Sequence, residues 1–316
     1  MSNQAQPTIL VTGGSGQLAR LVLDGLLARG VAPDKLIATT RSPEKLADLA
    51  ARGIAVRKAD FKDPSSLESA FAGAEKLLVT SIVPDLPYVS GQRFIQQRAA
   101  IEAGVRAGAK HIFYTSYTQP EPPNPIWWTQ DHHDTELALR QSGAAWTIIR
   151  DWEWPEWYYY TEWLSAAETG QYHSASGSGR VSYVVREDCA RAIVGALLAH
   201  DSQSRVYSLT GPEALTGQDI AAAIGEAFER EVALIPCTPA ELGRRLEQNG
   251  LPEILIPFSV RFAEGVALGR YDGLTNHVEM LSGRKPMTIR DYMRTERAAR
   301  PDATLSSFLR RQMEGG

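Results

Sequence analysis

Thr8-Ile-Leu-Val-Thr-Gly13-Gly-Ser-Gly16-Gln-Leu-Ala19-Arg20 decides how the rest of the chain is read. It runs from a β-branched strand through a glycine-rich turn into an apolar-periodic helix, and it fits G-x-x-G-x-x-[GA]. Gly13 permits the tight turn and Gly16 lets backbone N–H groups come close to a pyrophosphate. Ala19 is small enough for the helix to lie on the strand. A glycine spacing alone is a weak signal. With a strand before it and a helix after it, the spacing marks a dinucleotide site. Thr12, Gly13, Ser15, Gly16, Gln17 and Leu18 are its first expected contacts.

Working outward, the first half alternates short β-branched runs with amphipathic stretches, the pattern of a parallel sheet with crossover helices. Strands are expected at Thr8–Thr12, Leu36–Thr39, Ile54–Arg57, Lys76–Thr80, His111–Thr115 and Trp146–Arg150. Helices are expected at about Gln17–Ala28, Pro43–Ala51, Ser65–Phe71, Gly91–Ala107 and Asp131–Ser142. This gives an α/β fold: a doubly wound parallel Rossmann sheet in the order 3-2-1-4-5-6. Right-handed crossovers bring the strand C-termini, and any ligand, to one edge. After Arg150 the alternation stops. Residues 1–150 are expected to form the dinucleotide domain, and 151–316 a smaller, mostly helical substrate lobe interleaved with it. That lobe would hold a turn at Ser174–Arg180, helices at Glu187–Ala199 and Gly217–Phe228, a strand at Val206–Leu209 and a helical region after Thr238. The charged tail from Met293 is expected to be loosely held.

The end of the second strand selects the cofactor. A site for NAD would carry an acid there to take the ribose 2′-OH. This chain has Thr40-Arg41-Ser42 instead, with no acid before Glu44. The planar fork of Arg41 can clamp a 2′-phosphate and Ser42 can add a hydroxyl, so NADP(H) is expected. Arg41 could otherwise cap a surface turn. Asp60 and Phe61 follow the third strand; they could meet the adenine, or Asp60 could simply build a turn. Thr80, Ser81 and Ile82 should pass beside the ribose and phosphates, and Thr115 lies at the end of the fifth strand.

Composition narrows the class. The 316 residues carry 43% hydrophobic and 22% charged side chains with a net charge of −4, so no basic field recruits nucleic acid or an anionic membrane. No apolar run is long enough to span a bilayer, and the N-terminus has no signal-peptide pattern, so a cytoplasmic protein is expected. The two cysteines, Cys189 and Cys237, have no metal-ligand spacing, and no metal is expected. A homodimer is compatible with the sequence, which does not specify one.

Gly13-Gly-Ser-Gly-Gln-Leu18, Arg41-Ser-Pro-Glu-Lys45, Ala59-Asp-Phe61 and Tyr114-Thr-Ser116 resemble the NmrA-like atypical short-chain dehydrogenases. Within that family the chain looks most like bacterial NADPH:quinone oxidoreductases and triphenylmethane reductase. The resemblance extends to Asn249-Gly-Leu-Pro252 and Leu281-Ser-Gly-Arg284. It implies NADP(H) held across Gly13–Leu18, Arg41, Thr80–Ile82 and the segment after Arg150, here Asp151 and Trp152. It also implies a flat aromatic oxidant as substrate. In one place the chain departs from the family: Arg150-Asp151-Trp152-Glu153-Trp154 stands where relatives carry Arg-Asn and then a tyrosine-containing stretch.

Typical short-chain dehydrogenases place Tyr-x-x-x-Lys on the helix after strand five, where the lysine helps the tyrosine give up a proton. This chain has no such pair there. His132 and Glu136 repeat its i, i+4 spacing, so Glu136 is expected to orient His132 and favour its protonated form as a proton donor. The alternative is a helix-surface pair of little consequence. All seven tryptophans lie between Trp127 and Trp163, and Tyr158, Tyr159 and Tyr160 join them. Trp152, Trp154 and Trp157, with Tyr117 from the fifth strand, are expected to form a stacking wall for an aromatic substrate; such residues also build ordinary cores and interfaces. Three functions are compatible with these features. The first is an NADPH-dependent reductase of a quinone, imine, azo or triphenylmethane acceptor. The second is a redox-sensing regulator that binds NADP(H) without turnover. The third, an extended-type sugar epimerase or dehydratase, would need the missing Tyr–Lys pair and NAD.

Overall fold

A computed structural model describes residues 6–82, 87–124, 126–200 and 203–314. The chain divides into two compact units. The first holds residues 1–122, 128–150 and 189–208; the second holds 123–127, 151–188 and 209–316.

The first unit is built on β1 (Ile9–Val11), β2 (Leu36–Thr40), β3 (Ala55–Lys58), β4 (Lys76–Val79), β5 (His111–Tyr117) and β6 (Ala145–Asp151). Two further strands in chain order are β7 (Gln171–Ser174) and β8 (Arg205–Leu209). β8 joins the first sheet, whose order is β3-β2-β1-β4-β5-β6-β8. The pairs β1–β2, β1–β4, β2–β3 and β4–β5 are parallel, with Leu10 opposite both Ile37 and Leu77 and Leu77 opposite Ile112. The expected order 3-2-1-4-5-6 is present, with one more strand at its edge. Leu10, Leu77, Ile112 and Ile148 are almost fully buried because crossover helices cover the sheet.

Those helices are Gln17–Ala28, Ala47–Ala51, Ser65–Phe71, Gln92–Arg106 and Thr129–Arg140, with a 3-10 turn at Pro43–Leu46. All lie within two residues of expectation except that Pro43–Ala51 splits into a 3-10 and an α segment. Helix Arg186–Leu198, expected in the substrate lobe, joins the first unit from Cys189 onward. The cause is close packing: a Cβ on Gly25 would lie 2.9 Å from Val194 Cγ2, so helix Gln17–Ala28 accepts this neighbour only with glycine there. Lys76 Nζ also donates to the carbonyls of Leu197 (2.6 Å) and Ala199 (2.9 Å), closing the helix end.

The second unit is mostly helical but contains a small sheet that the sequence did not announce, β7 paired in parallel with β9 (Ala233–Pro236). Helices Gly217–Phe228 and Pro239–Gln248 begin with capping boxes, Thr216 with Asp219 and Thr238 with Glu241. The tail is not loose. Thr288 caps helix Ile289–Ala299, Met293 is wholly buried, and Phe308 stacks on Tyr160 with ring centroids 4.5 Å apart. No helix among the described residues is long and apolar enough to cross a membrane.

Candidate functional site

Gly13 sits at φ 64°, where a side chain is strained, and a Cβ on it would lie 2.8 Å from Thr80 Oγ1. The turn is therefore glycine-dependent for two separate reasons. Gly14 N–H donates to Thr39 O (2.8 Å) and Gly16 N–H to Gly13 O (2.8 Å), which fixes the turn against the end of β2. Ser15 and Thr40 hydroxyls lie 3.2 Å apart. Helix Gln17–Ala28 starts at Gly16 with no side-chain cap, so its first turn keeps the positive end of its dipole for an anion.

Thr80 N–H donates to Thr12 Oγ1 (2.9 Å), and Thr80 Oγ1 donates to Thr12 O (2.9 Å), tying β4 to β1. Ser81 N–H donates to Thr115 Oγ1 (2.8 Å) and Ile82 N–H to Gln97 Oε1 (3.3 Å). The strand-end segments named from the sequence thus meet along one sheet edge, braced by hydroxyls. Arg41 stands exposed after β2 and makes no hydrogen bond or ion pair among the described residues. Ser42 N–H donates to Thr40 Oγ1 (3.2 Å). Asp60 accepts Lys62 N–H at Oδ1 (2.9 Å), which is its turn role, and half-buried Phe61 packs on the first unit's core. Asp151 ends β6, buried. The glycine cradle, the uncapped helix and the free guanidinium fit a phosphorylated dinucleotide.

The expected His132–Glu136 pair does not form. Glu136 accepts from Ser116 Oγ (2.7 Å), Arg150 Nε (2.8 Å) and Arg150 Nη2 (2.7 Å). The fixed positive charge on β6 holds this carboxylate more strongly than a titrating imidazole could. His132 is buried between other partners: Arg93 Nη1 donates to its Nε2 (2.7 Å), and its Nδ1 lies 2.7 Å from the Tyr114 hydroxyl. A guanidinium is always a donor, so Nε2 is unprotonated and the neutral ring carries its proton on Nδ1, donating to Tyr114. Burial, and then the Arg93 charge, push the imidazole pKa well below its ordinary value. The expectation of a protonated, Glu136-oriented histidine is therefore corrected.

Sequence reading missed Arg93 and Gln97. Gln97 is fully buried and donates from Nε2 to Tyr114 Oη (2.9 Å) and Thr135 Oγ1 (3.0 Å) while holding Ile82. A signal was present. Arg93 and Gln97 share the buried stripe of helix Gln92–Arg106 with Ala100, Ile101 and Gly104, where apolar residues belong.

The aromatic segment is corrected in part. Tyr117, in the first unit, stacks on His132 at 5.8 Å. In the second unit, Trp152 is packed against Gly273, where a Cβ would lie 2.5 Å from its ring. Trp157 Nε1 donates to Ser259 Oγ (3.0 Å), and Tyr158 and Trp163 pack with Tyr183 in an aromatic core. Trp154 is half-buried beneath the Arg186 guanidinium, 4.5 Å from ring to Cζ. Trp152 and Trp157, half of the expected stacking wall, pack into the core, because aromatic rings gain most where both faces are covered.

Residues 13–200 match the family described as NAD(P)H-binding. Quinone oxidoreductase 2 of Escherichia coli (strain K12) is 33% identical over 78% of this chain and 83% of its own. NAD(P)H azoreductase of Xenophilus azovorans is 29% identical over 92% of this chain and 98% of its own. The crystal structure of Citrobacter sp. triphenylmethane reductase complexed with NADP(H) superposes with a TM-score of 0.83 at 28% identity, covering 91% of this chain and 99% of that one. With the Rossmann sheet and the glycine cradle, these matches show that the chain belongs to the NAD(P)H-binding family, as an NmrA-like, NADP(H)-dependent oxidoreductase.

Proposed function

We propose that the protein reduces conjugated aromatic acceptors, of the quinone or triphenylmethane kind, that take a hydride without needing a proton from the protein. One observation carries this reading. The histidine on the helix that supplies the proton donor in typical short-chain dehydrogenases is locked neutral between Arg93 and Tyr114. A simple ketone or aldehyde becomes an alkoxide on reduction and needs an acid beside it. A quinone is reduced to a delocalised anion, and a cationic dye is only neutralised. The printed names of a relative and of a solved neighbour, a quinone oxidoreductase and a triphenylmethane reductase, support the same class.

In this reading Gly13–Leu18 and Thr80–Ile82 hold the phosphates and riboses of NADP(H), Arg41 and Ser42 take the 2′-phosphate, and Thr115 braces Ser81. When bound, NADPH supplies the hydride, and the protein positions it and keeps water away. Tyr117, half-buried against His132 in the same unit as the cofactor residues, is the aromatic residue proposed to meet the acceptor. The test is NADPH consumption against a panel of quinones, azo dyes, triphenylmethane dyes and simple aldehydes and ketones. Turnover confined to the quinones and triphenylmethane dyes is expected. Preference for simple carbonyls, or NADPH binding with no turnover on any acceptor, would overturn the proposal.

A further inference from the structure

We propose that the second unit carries a separate binding site for a small zwitterion of the amino-acid type, with Glu162 receiving the ammonium group and Arg245 the carboxylate. The site is a pocket of about 60 Å³ whose lining includes Glu162, Tyr172, His173, Leu242, Arg245 and Asn249. Every lining residue belongs to the second unit, and none is among those assigned to cofactor or acceptor.

The pocket is polarised from floor to mouth. Arg245 and Asn249 are exposed and stand at the mouth; Tyr172 and Leu242 are buried and form the floor. Glu162, Tyr172 and Leu242 also line a smaller inner cavity of about 10 Å³, room for one water, so Glu162 lies on the partition between the two spaces. Glu162 is presented by a π-helical turn, Tyr159–Trp163, a local widening of the helix that recurs at functional sites.

The bonding leaves the carboxyl short of partners. Trp157 Nε1 donates to Ser259 Oγ, so the single Ser259 hydroxyl proton is free to go to Glu162. Glu162 has no cationic partner among the described residues. Burial pushes it up to about 8, so with nothing in the pocket the acid keeps its proton near neutrality. An ammonium ion would supply the countercharge that the fold withholds. At the mouth, Arg245 and Asn249 side chains make no hydrogen bond or ion pair among the described residues. The Arg245 charge is nevertheless felt in the pocket, where it helps lower the pKa of His173 after burial does.

Size and charge together set the ligand class. If one water-sized group needs roughly 10–15 Å³ on this measure, the pocket takes about four to six non-hydrogen atoms. Glycine has five and alanine six. A cation alone would leave Arg245 unmatched, and an anion alone would supply no countercharge to ionise Glu162, so only a zwitterion pairs with both groups as ions.

The experiment is calorimetric titration of the full-length protein with glycine and alanine, and with ethylamine and propionate as single-charge probes. Glycine or alanine is expected to bind at least tenfold tighter than either single-charge probe. Glu162→Gln and Arg245→Ala should each weaken glycine binding about tenfold or more while leaving NADPH affinity unchanged. Arg245 is exposed, so its variant reports on binding even if Glu162→Gln disturbs folding. Absence of glycine and alanine binding to the wild type would overturn the proposal. So would equal affinity for the single-charge probes, or full retention of glycine binding by Arg245→Ala.

Discussion

Arg41 and His132 show how differently two charged-type side chains behave when one is left free and the other is enclosed. Arg41 has no partner to lose among the described residues, so a phosphate would gain its full bidentate contact. Arg41→Ala should raise the NADPH dissociation constant about ten- to a hundredfold, the loss of one charge-assisted contact, and leave NADH nearly unchanged. Fluorescence titration with both cofactors checks this; equal losses would remove Arg41 from the phosphate site. His132 is the opposite case. Its folded pKa lies well below the unfolded value because of burial and then Arg93. The unfolded chain therefore binds the extra proton first, and stability is complete above the unfolded pKa of about 6.5. It falls as pH drops from there toward the folded pKa, by about 1.4 kcal/mol per pH unit at most. Urea unfolding at pH 5 and pH 7 should show this loss in the wild type. In His132→Asn the pH-dependent part should be smaller, although the mutant is less stable at both pH values. An identical pH dependence in the two proteins would mean that the ring is not held neutral.

At the scale of elements, the aromatic residues expected to form one wall divide between packing and recognition. Trp152 fills the space above Gly273, and a Cβ there would come within 2.5 Å of its ring. Gly273→Ala should cost about 1–3 kcal/mol through overpacking, read as a lower unfolding midpoint, without altering acceptor selectivity. Tyr117, at the end of β5, is half-buried and stacks on His132. Tyr117→Ala should instead raise the acceptor KM and leave the NADPH dissociation constant unchanged; an unchanged KM would assign Tyr117 to structure. This contrast also marks the limit of sequence reading. Strands, crossover helices and the glycine turn were legible because local periodicity and steric need write them directly into residue order. The partners of His132 were not. An i, i+4 spacing says that two side chains share a helix face, but Arg150 on β6 and Arg93 on a neighbouring helix decide where Glu136 and His132 turn. Likewise, nothing local separates a tryptophan that lines a pocket from one that closes on a distant glycine.

For the whole molecule, the chain's order and its architecture part company after Arg150. The sequence pattern changes there, yet residues 189–208 return to the first unit. They supply the inner side of helix Arg186–Leu198, where Ile193, Val194 and Leu197 are buried to within 3% of full enclosure. They also supply β8, which stands beside β6 at the edge of the sheet. Burying each of those three side chains is worth about 1.5–3 kcal/mol. Together that is comparable with the 5–15 kcal/mol that holds a typical domain folded. A fragment ending at Arg150 would lose that burial, leave Lys76 without the carbonyls it caps, and turn β6 into an unpaired edge open to other chains. We expect the 1–150 fragment to lack a cooperative thermal transition and to elute as aggregates in size-exclusion chromatography. Joining residues 186–208 to it through a short flexible linker should restore a cooperative transition and NADPH binding. If the 1–150 fragment is monomeric, unfolds cooperatively and binds NADPH unaided, the returning segment is an accessory to the Rossmann unit and not part of its fold.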